Sequence, residues 1–112
     1  MTTQFIQDGN SIDYTPSVGV SAGDVVVQGD LVGIAKRDIP ANTLGALATT
    51  GVFDVPKTAG VGEAIPAGAK VYWDVADQVA KEDAEAGANK YLGKTTLAAG
   101  DNDTTTRVKL EQ

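Results

Sequence analysis

Short runs of alternating or β-branched residues, separated by turn signals, recur along the whole chain. "SIDYT" alternates with a period of two and places Ile12 and Tyr14 on one face. "DVVVQ" and "LVGIAKR" are β-branched runs on either side of Gly29-Asp30. "TLGALAT" and "GVFDVP" are divided at Thr50-Gly51, and Pro56 stops the second run. "AKVYWDV" is the most convincing strand. "TTRVKLEQ" closes the sequence in clean alternation, with Val108 and Leu110 facing inward. "TTQFIQ" is also strand-like, and Asp8-Gly9 after it is a favoured hairpin pair. Segments 16–23 and 57–68 read as turn-rich connections.

"DVADQVAKEDAEAG" is ambiguous. It contains good helix formers, with a weak apolar stripe at Val75, Val79 and Ala86. It also reads as a hairpin of "VYWD", a turn "VADQ" and a strand "VAKED". The hairpin is preferred, because a short helix needs tertiary burial and this stripe is too narrow to supply it. Helix and hairpin over 75–86 both stay open.

Four corners recur: "VSAGDVVV", "IPANTLGAL", "IPAGAKVYW" and "LAAGDNDTTTRV". Each places Gly or Asn where a tight left-handed turn redirects the chain into a strand. They are too short and irregular for a solenoid. The elements predict a mainly β fold: a small barrel-like single domain of short antiparallel strands with at most one short helix.

At 112 residues the chain is expected to be one domain, 1–112, burying about two-thirds of its unfolded surface. Aromatics make up only 5% of it, so the core is expected to be thin or completed by a neighbouring chain. There is no cysteine, hence no disulfide or thiol chemistry. No apolar run is long enough for a membrane span, and "MTTQFIQDGN" lacks the pattern of a secretory signal. The net charge of −6 speaks against nucleic acid as a partner. The nine basic residues (Lys36, Arg37, Lys57, Lys70, Lys81, Lys90, Lys94, Arg107 and Lys109) are scattered, and only Lys36-Arg37 are adjacent.

Candidate chemistry is sparse. The absence of histidine removes Ser-His-Asp and Cys-His triads and the commonest zinc ligand. "EAGANKYLGKTTL" nearly spells a P-loop, with Gly93-Lys94-Thr95 as its second half. The first glycine should stand at 88, which is Ala88; Gly87 is one place too early. The flanking residues supply neither the buried strand nor the helix that a phosphate cradle requires, so a turn feeding a strand is the better reading, and no nucleotide is expected. Asp101 and Asp103 hint at a calcium loop, but Thr106 and Gln112 occupy the positions that need Gly and Glu. Glu82, Asp83 and Glu85 read as a solvated loop. We therefore expect no catalytic, cofactor or metal residues.

Taken in order, "FIQDGNSIDYT", "SAGDVVVQGDLVGIA", "TTGVFDVPKT", "IPAGAKVYWD" and "YLGKTTLAAGDNDTTTRVKL" resemble the small tailed-phage capsid cement, or head decoration, proteins. The likeness spans nearly the whole chain; "GVFDVPK", "GAKVYWD" and the closing "RVKL" are its most specific pieces. Some members of that family have carried a recombinase-type label, which the broken P-loop does not support. The resemblance implies a β-clip-like domain that forms a homotrimer on the outside of an icosahedral head. Its partners would be the major capsid protein and itself, and it would stabilise the expanded shell without cofactor or catalysis. The protein would be soluble in the host cytoplasm before it joins the virion. On this reading residues 1–9 are a candidate extended arm, and Thr2, Thr3, Gln4, Phe5 and Ile6 are its candidate capsid contacts; an ordinary first strand is the alternative. Tyr72 and Trp73, adjacent in a strand, face opposite sides. One is expected in the core and the other is a candidate subunit-interface anchor, although burial of both within one subunit also stays open. A small ligand- or carbohydrate-binding β module is the competing reading. Against it stand the few aromatics, since such modules usually expose several.

Overall fold

A computed structural model describes residues 3–6 and 9–112. Among them, nine strands form two antiparallel sheets. The strands are β1 (Ser11–Tyr14), β2 (Val25–Gln28), β3 (Leu31–Ala35), β4 (Gly45–Ala48), β5 (Val52–Pro56), β6 (Lys70–Asp74), β7 (Val79–Lys81), β8 (Lys90–Thr95) and β9 (Thr105–Leu110). The first sheet has the order β1-β4-β3-β2 and the second β5-β9-β8-β6-β7. β5 and β7, the two edges of the second sheet, approach each other, so this sheet curls toward a closed barrel. The fold is mainly β, as the alternation predicts.

The ambiguous segment is the hairpin: β6 turns at Val75–Gln78 into β7, with Asp74 paired to Val79. Gln78 takes a positive φ in the turn, and the Asp74 carboxylate accepts from the Asp77 N–H at 3.1 Å. A three-residue 3-10 turn, Glu85–Gly87, follows; Glu85, Ala86 and Gly87 all have positive φ, so it does not grow into an α-helix.

The corners have a meaning that their sequences do not spell out: they pair two by two. Val20 and Ile39 exchange two backbone hydrogen bonds of 2.9 and 2.8 Å, and Ile65 and Ala99 do the same at 2.9 and 2.8 Å. Beside the first pair, the Gly23 N–H donates to the Ala35 carbonyl and the Ala35 N–H to Asp24. Beside the second, Gly68 donates to Thr95 and Thr95 to Ala69. Register repeats too: Ile12 pairs with Leu47 as Phe53 pairs with Val108, and Ser11 with Ala48 as Val52 with Lys109. Residues 10–49 and 51–110 thus share one plan, in which β1, β2, β3 and β4 correspond to β5, β6, β8 and β9. β7 and the 3-10 turn are an insertion in the second half.

The two halves pack as layers. Val32 and Ile34 of the first sheet join Val55, Val71, Trp73, Leu92, Val108 and Leu110 of the second in the main core. A smaller cluster, Ala35, Ile39 and Leu47, lies on the other face of the first sheet with Ile12, Tyr14, Val20 and Val26 packed against it. Lys90 pairs with Asp30 at 2.9 Å across the layers, and Gln112 accepts from the Val32 N–H at 2.8 Å while donating to the Leu92 carbonyl at 3.0 Å.

Candidate functional site

The near P-loop is not formed. Gly93, Lys94 and Thr95 lie inside β8 and pair with Leu110, Lys109 and Val108. The Thr95 hydroxyl donates to the Pro66 carbonyl at 2.6 Å and accepts from the Ala69 N–H at 3.0 Å, so it fastens the strand to the third corner. Asp101 and Asp103 likewise tie backbone: Asp101 accepts from the Ala64 N–H at 2.9 Å and Asp103 from Gly100 at 2.8 Å. Asp83 accepts from the Glu85 N–H at 2.8 Å. Among the described residues no cluster of three potential metal ligands occurs.

Thr2 lies outside the described residues, as does Asp8 of the expected turn. Thr3 to Ile6 form no strand, so the strand-like reading of "TTQFIQ" is not realised over these residues. All four are exposed, and Phe5 and Ile6 are each 81% accessible. Phe5 and Ile6 are thus two large apolar side chains in water, on a segment with no partner strand among the described residues.

Tyr72 and Trp73 do face opposite sides. Trp73 is 2% accessible and belongs to the core of the chain itself, where its indole N–H finds no acceptor among the described residues. Tyr72 lies half-buried on the outer face of the second sheet, its ring edge-on to Tyr91 at 5.7 Å and 62°. Two rings crossed in this way do not form the flat platform on which a sugar stacks. The Tyr91 hydroxyl donates to Glu111 at 2.6 Å. Burial, followed by the Glu111 carboxylate, pushes the Tyr91 phenol up to about 12. The same hydrogen bond is the main reason Glu111 stays below the usual carboxylate range, with Lys94 and Lys109 adding to it.

Around this pair the sheet assembles what the sequence scatters. Lys70 sits directly opposite Lys94, and Lys94 directly opposite Lys109, so three lysines form a row across β6, β8 and β9. Lys94 has Glu111 at 3.8 Å; Lys70 and Lys109 have no ion-pair partner among the described residues. Arg107, further along β9, is held by Asp54 at 2.9 Å. The corresponding positions of the first sheet are Val25, Ile34 and Ala48, which pack inward or are buried. Sequence reading missed this row because its members are 24 and 15 residues apart, and only strand register makes them neighbours. Lys70, Tyr72, Tyr91, Lys94 and Glu111 also line an open cleft of about 410 Å³.

A second cleft, of about 320 Å³, lies between β7 and the loop before β6. It is lined by Glu63, Glu82, Asp83 and Glu85. Its lysines are engaged elsewhere: the Lys57 ammonium donates to the Thr58 and Asp103 carbonyls, and Lys81 pairs with Asp74 at 2.8 Å and Asp77 at 2.7 Å. The molecule therefore carries a cationic face and an acidic cleft at different places on the second layer.

Neither a curated protein nor a solved structure matches the chain. A family model described as phage cement protein matches residues 6–110, nearly the full length and both structural halves. The chain therefore belongs to the phage cement protein family.

Proposed function

We propose that this protein decorates the outer surface of a phage head as a homotrimer and holds the expanded shell against the pressure of packaged DNA. Membership of the cement family gives it a structural role on the phage capsid. The step from that role to a docking mode rests on one observation, the exposed Phe5-Ile6 pair on an unpaired N-terminal segment. Burying two such side chains against a partner is worth about 1.5–3 kcal/mol each before ordering costs. A single arm would bind weakly. Three arms on one trimer would act together through effective concentration. Thr2, Thr3 and Gln4 would extend the same arm, and Tyr72, the outward member of the aromatic pair, would anchor the subunit contact. Before assembly the protein would be free in the host cytoplasm.

Removing residues 1–6 tests the docking mode. The truncated protein should keep its oligomeric mass in light scattering and lose binding to expanded, undecorated heads in pelleting and electron microscopy. Unchanged head binding would sink the arm as the capsid contact.

A further inference from the structure

We propose that the lysine row Lys70–Lys94–Lys109 is a subunit contact that receives the acidic cleft of a second copy of this chain. The inference rests on the oligomeric reading above and gives it a chemistry. Three like charges at directly opposed positions of neighbouring strands repel one another, and a sheet carries such a row at a cost in its own stability. The monomer offsets only part of that cost. Glu111 lies 3.8 Å from Lys94, adds a longer-range attraction to Lys109, and is also taken up by the Tyr91 hydroxyl. In the first half of the chain the equivalent positions are apolar and out of water, Val25 and Ile34 against the second layer and Ala48 buried, whereas here they face outward.

Charge complementarity identifies the occupant. The chain has a net charge of −6, so its cationic face attracts the rest of its own kind of surface. Glu63 and Glu82 line the acidic cleft, are exposed, and have no ion-pair partner among the described residues. Row and cleft are different patches, so the contact is heterologous: the row of one copy meets the cleft of the next, and a ring closes when the rotation allows. Tyr72 and Tyr91 lie beside the row and give the contact an apolar anchor.

The test is mass by light scattering at low and high salt on three proteins: wild type, Lys70→Glu/Lys94→Glu/Lys109→Glu, and Glu63→Lys/Glu82→Lys. Wild type should associate at low salt, and salt should weaken the association. Each reversed protein should associate roughly tenfold more weakly or not at all. In an equimolar mixture the reversed row of one meets the reversed cleft of the other and the native row meets the native cleft, so mixed pairs should recover association even though an alternating ring of three cannot close. Trp73 emission reports that each variant is folded; if the triple variant is not, Lys109→Glu alone replaces it. Three results overturn the contact: a wild type that is monomeric throughout, a row variant that associates like wild type, or a mixture that does not recover. A row variant that associates normally but no longer binds heads would reassign the row to the capsid. If wild type associates through these residues yet ignores heads, the capsid reading fails and this contact stands.

Discussion

Two alanine substitutions, at Gly93 and Gly68, make the same chemical change for different physical reasons. A Cβ on Gly93 would lie 1.9 Å from the Lys109 carbonyl oxygen and 2.9 Å from its carbon, both backbone atoms that no side-chain rotation can remove. β8 and β9 must separate by more than an ångström, which strains the pairs around Gly93 and Leu110. Overpacking of this kind costs about 1–3 kcal/mol, and losing one or two ladder hydrogen bonds adds about 1 kcal/mol each, for a total of about 2–5 kcal/mol. Gly68 has open space around it and φ +77. Alanine there costs about 1–2 kcal/mol in the left-handed region, offset in part by a stiffer unfolded chain, for a net of about 1 kcal/mol. Urea unfolding followed by Trp73 emission measures both. With a slope of about 2 kcal/mol/M, the midpoint should fall by roughly 2 M for Gly93→Ala and roughly 0.5 M for Gly68→Ala. Equal shifts, or a milder Gly93→Ala, would refute close strand approach as the reason for glycine in this near P-loop.

Further expectations concern pH. Asp54, Asp74 and Glu111 are held below the ordinary carboxylate range, led by hydrogen bonds from Arg107, Lys81 and Tyr91 respectively. Their contribution is present above the unfolded carboxylate value and lost as pH falls through the folded values, so urea midpoints should drop steeply below about pH 4. Asp74→Asn should flatten that drop; an unchanged acid profile would dismiss Asp74 as a source of it. At the alkaline end Tyr91 should titrate near 12 in an ultraviolet difference spectrum. Its raised value stabilises the fold below the unfolded value near 10, and that stabilisation is lost as pH rises through the folded one. Glu111→Gln should lower the Tyr91 midpoint, and no movement would assign the whole shift to burial.

Local pattern carried much of the fold. Alternation in "TTRVKLEQ" placed Val108 and Leu110 inward, where they are buried, and period two put Ile12 and Tyr14 on one face. Gly29-Asp30 is the turn between β2 and β3. The narrow stripe over 75–86 favoured the hairpin that forms. Long-range pairing was not legible. Nothing in "VSAGDVVV" says that Val20 bonds to Ile39, and the shared plan of the two halves is carried by backbone bonds, with little likeness of side chains. The adjacency of Tyr72 and Trp73 fixed opposite faces without saying which was inner; the core settled it by taking the larger ring. Lys70, Lys94 and Lys109 looked scattered because charge was read along the chain, whereas a sheet sorts residues across strands.

The division of the molecule into two self-paired halves has a consequence for its topology. Every ladder described here closes within one half, and the covalent crossing between layers is the short turn at Thr50-Gly51. On its two sides Thr49 bonds to Asn10, in the first half, and Leu110 to Gly51, in the second. The interlayer surface is thus indifferent to whether its two sides come from one polypeptide or two. Halves severed at this turn should reassemble when mixed, and intact chains refolded at high concentration should exchange halves into swapped dimers that keep every native pair.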